Sequence, residues 1–238
     1  MIPWKAVLLV YRCLDVRLSD GPRDHARFAH RLSEQEVEDA LASFARLPAL
    51  VARLSEGEAG LDYELVHVER CLESLTSMGE GRYWPSPSDT RAELDRLAAP
   101  RTRDSVFALW PQNDLQTRRQ VPSGGWGLAI GATGWSNGAT YATVANAPGT
   151  TWSEPVPGEV WLHEWLHGVC DHYARSRFAM PPGDADGGER AGYQREPDLG
   201  WSRYYGDLMT GRVEVDGRRV GIPPEAWRSG SPLSSSRA

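Results

Sequence analysis

Residues 157–173, PGEVWLHEWLHGVCDHY, narrow most what this chain can fold into, because their pattern demands a helix. Leu162, Leu166, Val169 and Tyr173 recur at i, i+4, i+7 and i+11 and make an apolar stripe down one side. Off that stripe, His163 and His167 stand one turn apart, where two imidazoles can share a tetrahedral ion. Glu164 projects about 100° round the axis from His163, close enough to act on a water at such an ion without ligating it. Pro155, Pro157 and Gly158 lead into the helix. The H-E-x-x-H spacing therefore lies on a helix that can bury one side and present the other to a cleft. A core helix whose two histidines bond only to neighbours is the plainer alternative.

The chain before this helix alternates strand and helix patterns. Residues 5–16, KAVLLVYRCLDV, read as one buried strand. Residues 33–55 read as a helix, with Ser33 as N-cap and Glu36 completing a capping box. The first half of 61–75 alternates as a second strand, and 86–99 reads as a helix capped by Ser88 or Asp89 and closed by Pro100. A short apolar strand, 104–111, follows. Residues 112–138 are rich in glycine and turn formers and read as a long loop or irregular hairpin, after which 139–147 return to strand composition. Beyond residue 173 periodicity weakens. The expected division is a lobe of residues 1–173 that includes the helix, and a small irregular lobe of 174–238 whose last ten residues, 229–238, fray.

This order, with His163, Glu164 and His167 on the last helix, resembles the zincin superfamily of zinc metallopeptidases over residues 5–173, with no specific family assigned. The resemblance implies an α+β fold: a mixed β-sheet with covering helices, the HExxH helix, and a C-terminal lobe that completes the metal site. It also implies Zn2+ held by His163 and His167, with Glu164 as general base. Metzincins continue the motif as HExxHxxGxxH, but Cys170 and Tyr173 stand at the diagnostic positions here. His172 lies about 180° from His163 and would ligate only if the helix broke near Gly168. A gluzincin-like site takes a carboxylate about twenty residues past the second His, as a resemblance of that kind implies. Asp186 is then the first choice of third ligand and Glu189 the second, with Asp184 also a candidate. Of Asp186 and Glu189, one can ligate while the other orients an imidazole.

Tyr193, Tyr204 and Tyr205 are candidate donors to an oxyanion, and Tyr193 and Tyr205 are retained as catalytic candidates beside Glu164. In zincins the edge strand before the active helix binds an extended substrate, a place that 138–146 occupy here. Trp126, Trp135 and Trp152 lie near the expected cleft. The formal net charge of −6 and the lack of a basic tract give no attraction to nucleic acid or anionic lipid. No apolar run is long enough to span a bilayer, and the start lacks a secretory signal pattern, so the chain reads as cytoplasmic. Cys13, Cys71 and Cys170 are odd in number and far apart, so a disulfide framework is not expected. The sum is a zinc-dependent hydrolase acting on a peptide or small amide. Two alternatives stand beside it: an enzyme dedicated to a small biosynthetic substrate, and a non-catalytic module that binds peptide or glycan.

Overall fold

The computed structural model describes residues 3–19, 25–153 and 155–235. The apolar start forms β1 (Trp4–Tyr11), but the strand does not run on to residue 16. It turns at Arg12 into a hairpin of β2 (Cys13–Ser19) and β3 (His25–Arg31). The helix expected at 33–55 divides in two, α1 (Glu34–Phe44) and α2 (Leu47–Leu54), with Pro48 in the first turn of the second. Proline has no N–H to donate to the turn before it, so it starts a helix more readily than it continues one. The Ser33–Glu36 capping box is formed at the head of α1.

Next come β4 (Leu61–Val68), a two-residue ladder of β5 (Thr76–Ser77) with β6 (Tyr83–Trp84), and α3 (Arg91–Leu97). Neither Ser88 nor Asp89 caps α3; Thr90 is its N-cap. The Asp89 carboxylate instead accepts from the Ser86 N–H at 2.8 Å and from the hydroxyls of Ser74 and Thr76 at 2.6 and 2.8 Å. Then β7 (Ser105–Trp110) and a small ladder of β8 (Asn113–Asp114) with β9 (Arg119–Gln120) lead to β10 (Gly127–Ile130) and β11 (Thr140–Ala145). A short α4 (Gly149–Ser153) precedes the long α5 (Glu159–Arg175). The chain closes with α6 (Ser202–Met209), a hairpin of β12 (Val213–Val215) and β13 (Arg218–Val220), and two short helices, α7 (Pro224–Ser229) and α8 (Pro232–Ser235).

Five strands form the main sheet in the order β10-β11-β7-β1-β4. The four from β11 to β4 are parallel, and β10 is antiparallel to β11 at one edge. The fold is therefore mixed α+β, with a sheet of both strand senses. β11 is not the edge strand that the sequence suggests. All six of its residues are buried, because β10, drawn from the stretch read as a long loop or irregular hairpin, covers it.

Alternation along the strands gives two cores. Ala6, Leu8, Val10, Phe107 and Leu109 face α1, α2 and α5, while Val7, Leu9, Tyr11, Val106 and Ala108 face α3 and the hairpins. Residues after 173 join the first core. Trp227 stacks on Trp165 of α5 at 6.2 Å and donates its indole N–H to the Met209 carbonyl at 2.9 Å. The stretch expected to fray is placed as far as residue 235, and the Leu233 N–H donates to the buried Asp104 carboxylate at 2.8 Å.

Cys13 and Cys71 form a disulfide, which overturns the expectation of none. Their separation of 58 residues is misleading, because backbone bonds between Cys13–Asp15 and Leu72 lay the two segments side by side. That pairing leaves the Cα atoms 4.4 Å apart, within bridging range.

Candidate metal centre

The site is built on the middle of α5. The helix is unbroken from Glu159 to Arg175, so its apolar face lies on the sheet while His163 and His167 turn to a cleft of about 830 Å³ between α5, β10 and the segment 184–205. A third group arrives on a tight turn after Met180. Gly183 (φ 87°) and Asp184 (φ 38°) are both left-handed, a conformation natural to glycine and tolerated by aspartate. The 3-10 turn Asp184–Asp186 follows and brings both carboxylates back over α5.

Ligand atoms of His163, His167 and Asp186 all lie within 4.8 Å of one another. The two Nε2 atoms are 3.3 Å apart, Asp186 Oδ1 stands 3.4 Å from His163 Nε2, and the other oxygen, Oδ2, stands 3.8 Å from His167 Nε2. Tetrahedral bonds of about 2.0–2.1 Å require donor spacings of about 3.3 Å, so the set fits a zinc-sized ion with little adjustment. Nitrogen and carboxylate donors also suit that ion.

Each imidazole is held from behind. Asp184 Oδ1 accepts from His167 Nδ1, which leaves the His167 Nε2 lone pair facing the other donors. The Tyr205 hydroxyl lies 2.8 Å from His163 Nδ1. Tyr204 donates its O–H to the Asp184 carbonyl and so steadies the turn that supplies both aspartates. Burial and the neighbouring His167 push the His163 pKa down to about 4, so it is neutral near pH 7. Burial, the largest single influence, opposes charge on His167 too, but its bond to Asp184 and the charges of Asp184, Glu164 and Asp186 together outweigh it and raise its pKa.

Glu164 is 6 % exposed and lies against β10. Burial raises its pKa to about 8, with the Asp186 charge adding to the rise and His167 opposing it. A cation on the three donors would pull that value down. Two glycines make room for this side of the helix. A Cβ on Gly127 would overlap the Glu164 carboxyl group, and one on Gly131 would overlap the Asp171 carboxylate.

The structure does not bring every candidate to the cluster. Glu189 is exposed and does not line the cleft, because Gly187 and Gly188 pack against Tyr204 and Trp201 and the chain then turns outward. His172 is on the opposite side of the unbroken helix, 5.7 Å from the Trp4 ring. Tyr193 donates to Asp207 at 2.8 Å and does not line the cleft. Tyr205 lies behind His163 rather than across the cleft from it. Trp126 and Trp152 line the cleft, but Trp135 does not and donates instead to Ser88 Oγ at 2.9 Å. Sequence reasoning missed Glu159, Arg195 and Trp201, which also line the cleft, as do Gly127 and Gly131. The cluster of glycines at 124–131 was the only signal available for the last two.

No protein-family model, no curated protein and no solved structure matches this chain.

Proposed function

We propose that the chain is a zinc-dependent hydrolase of the zincin type, acting on peptide or small amide bonds. The observation that carries this reading is the near-tetrahedral spacing of His163, His167 and Asp186 with a buried carboxylate, Glu164, beside them in an open cleft. His163, His167 and Asp186 would be the three protein ligands, and the side facing the cleft is free for a reactant. Zinc held there supplies Lewis acidity toward a carbonyl and lowers the pKa of a water to near neutrality. Asp184 and Tyr205 keep the two imidazoles turned toward the shared position.

Glu164 takes the proton from the attacking water on its carboxylate and delivers it to the departing amine. The antiparallel strand β10 ends the sheet beside this position, and its outer edge offers main-chain groups to an extended substrate. The cleft volume of about 830 Å³ suits a short peptide or a small amide. The disulfide Cys13–Cys71 favours an oxidising compartment over the cytoplasm expected from the sequence.

The test is turnover of a randomised peptide pool by zinc-loaded wild type and Glu164→Gln. The variant should retain zinc and lose at least a hundredfold in rate, the upper range for a single acid–base group being about 10⁴. Equal turnover by the two proteins would contradict the reading.

A further inference from the structure

The two ends of the cleft differ in how their charged groups are paired. His163 and His167 lie between Glu159 and Asp171 on α5, each about one turn, or roughly 6 Å, from the nearer of these. At one end stands Asp171, ion-paired with Arg175 at 2.9 Å and packed against Gly131. At the other stands Arg195, the one lysine or arginine among the described residues that line the cleft. Among the described residues no carboxylate pairs with its guanidinium within 4.0 Å. Glu159 lies near enough to feel its charge, yet its carboxylate accepts from the Trp201 N–H.

Arg195 is exposed, and it is the backbone following it that is pinned to α5. Glu196 and Gly200 exchange both backbone hydrogen bonds at 2.9 Å, which closes a loop, and Trp201 at its end is tied to Glu159. A Cβ on Gly200 would overlap the Glu159 carboxyl group, so the loop lies directly on the first turn of α5. Trp126, 46 % exposed, lines the same cleft and offers an apolar surface.

Strand direction says which part of a substrate comes to this end. β10 and α5 run in the same sense, since Gly127 meets Glu164 and Gly131 meets Asp171. An extended peptide adding to β10 in the more stable antiparallel sense has its N-terminus toward Asp171 and its C-terminus toward Glu159 and Arg195. The roughly 6 Å of helix between His163 and Glu159 is about the span of two extended residues.

We propose that Arg195 selects substrates by binding a carboxylate on the leaving-group side of the scissile bond, one or two residues past it: the C-terminal carboxylate of a short peptide, or an acidic side chain in that position. A guanidinium suits this because it binds a carboxylate with two parallel hydrogen bonds. The inference rests on the hydrolase reading of the cleft.

The test is equilibrium retention of two tetrapeptide pools, randomised at all four positions, one with free C-terminal carboxylates and one amidated. Zinc-loaded Glu164→Gln protein, which should hold peptides without consuming them, is compared with the same protein carrying Arg195→Gln or Arg195→Lys. Retained peptides are read by mass spectrometry, and zinc is measured in each sample. Free acids should be retained about tenfold over amides, with the preference lost in Arg195→Gln and partly kept in Arg195→Lys, as a lost charge-assisted pair predicts. Retention of Asp- or Glu-containing peptides from both pools, lost in Arg195→Gln, would support the side-chain source. Equal retention of acids and amides without acidic selection, indifference to Arg195→Gln, or no retention by zinc-bearing protein would overturn the role of Arg195 alone. Failure to hold zinc at all would overturn the hydrolase reading and this inference with it.

Discussion

At the scale of single residues, the account depends on where Glu164 is allowed to sit. Its carboxyl group occupies space that a side chain at position 127 would take. Gly127→Ala should therefore displace Glu164 while leaving His163, His167 and Asp186 in place. The expected outcome is a fall in kcat of at least tenfold, with zinc content unchanged, since about 1.4 kcal/mol of lost transition-state stabilisation is tenfold in rate. Peptide turnover and elemental analysis on the same preparation check it; loss of zinc together with rate would mean that the substitution disturbs the ligands instead. His163, Glu164 and His167 were legible because the H-E-x-x-H spacing on a helix sets the two imidazoles one turn apart with the carboxylate beside them. Asp186 was the first choice among three carboxylates on its distance from His167 in the chain, but the physical basis of its distinction from Asp184 and Glu189 was not legible. It depends on two left-handed residues at 183 and 184 and on the glycines that turn the chain away after 186. Arg195 carries no local pattern at all and becomes visible only when the 196–200 loop closes on α5.

Among the elements, the strands of the sheet and the two long helical segments announced themselves through alternation, capping and proline. The hairpin of β2 and β3 and the edge strand β10 did not. β10 is only four residues long and begins at a glycine, so neither its length nor its composition separates it from the loop around it. The consequence was a wrong assignment of the edge to β11, whose residues are buried on both faces as an interior parallel strand requires. The disulfide was hidden for a related reason: only the pairing of β2 with the segment at Leu72 brings Cys13 to Cys71. Closing a loop of 58 residues should stabilise the fold by about 4 kcal/mol on the chain-entropy model. Cys13→Ser with Cys71→Ser should lower the unfolding free energy in urea by about that amount. No change in the urea midpoint, or two free thiols at these positions in oxidised wild type, would count against the bridge.

For the molecule as a whole, the segment after 173 is part of the main core. Trp227, from near the C-terminus, packs on Trp165 and against Trp4 at 6.2 and 6.4 Å, and Tyr204 and Tyr205 on the same side of the sheet reach back to Asp184 and His163 of the candidate site. Trp227→Ala should cost about 3–5 kcal/mol, as other large buried aromatics do, and unfolding should remain one transition. A separate early transition in denaturant would show instead that residues 174–238 are held independently. The central claim concerns three side chains from two distant parts of the chain, and elemental mass spectrometry of protein purified without chelator or immobilised nickel tests it most directly. Wild type should carry about one zinc per chain, as a site with three protein ligands and an open position predicts, and both His163→Ala and Asp186→Ala should lose it. Wild type that takes up no zinc at neutral pH, that holds iron in its place, or that keeps zinc in Asp186→Ala would contradict the account.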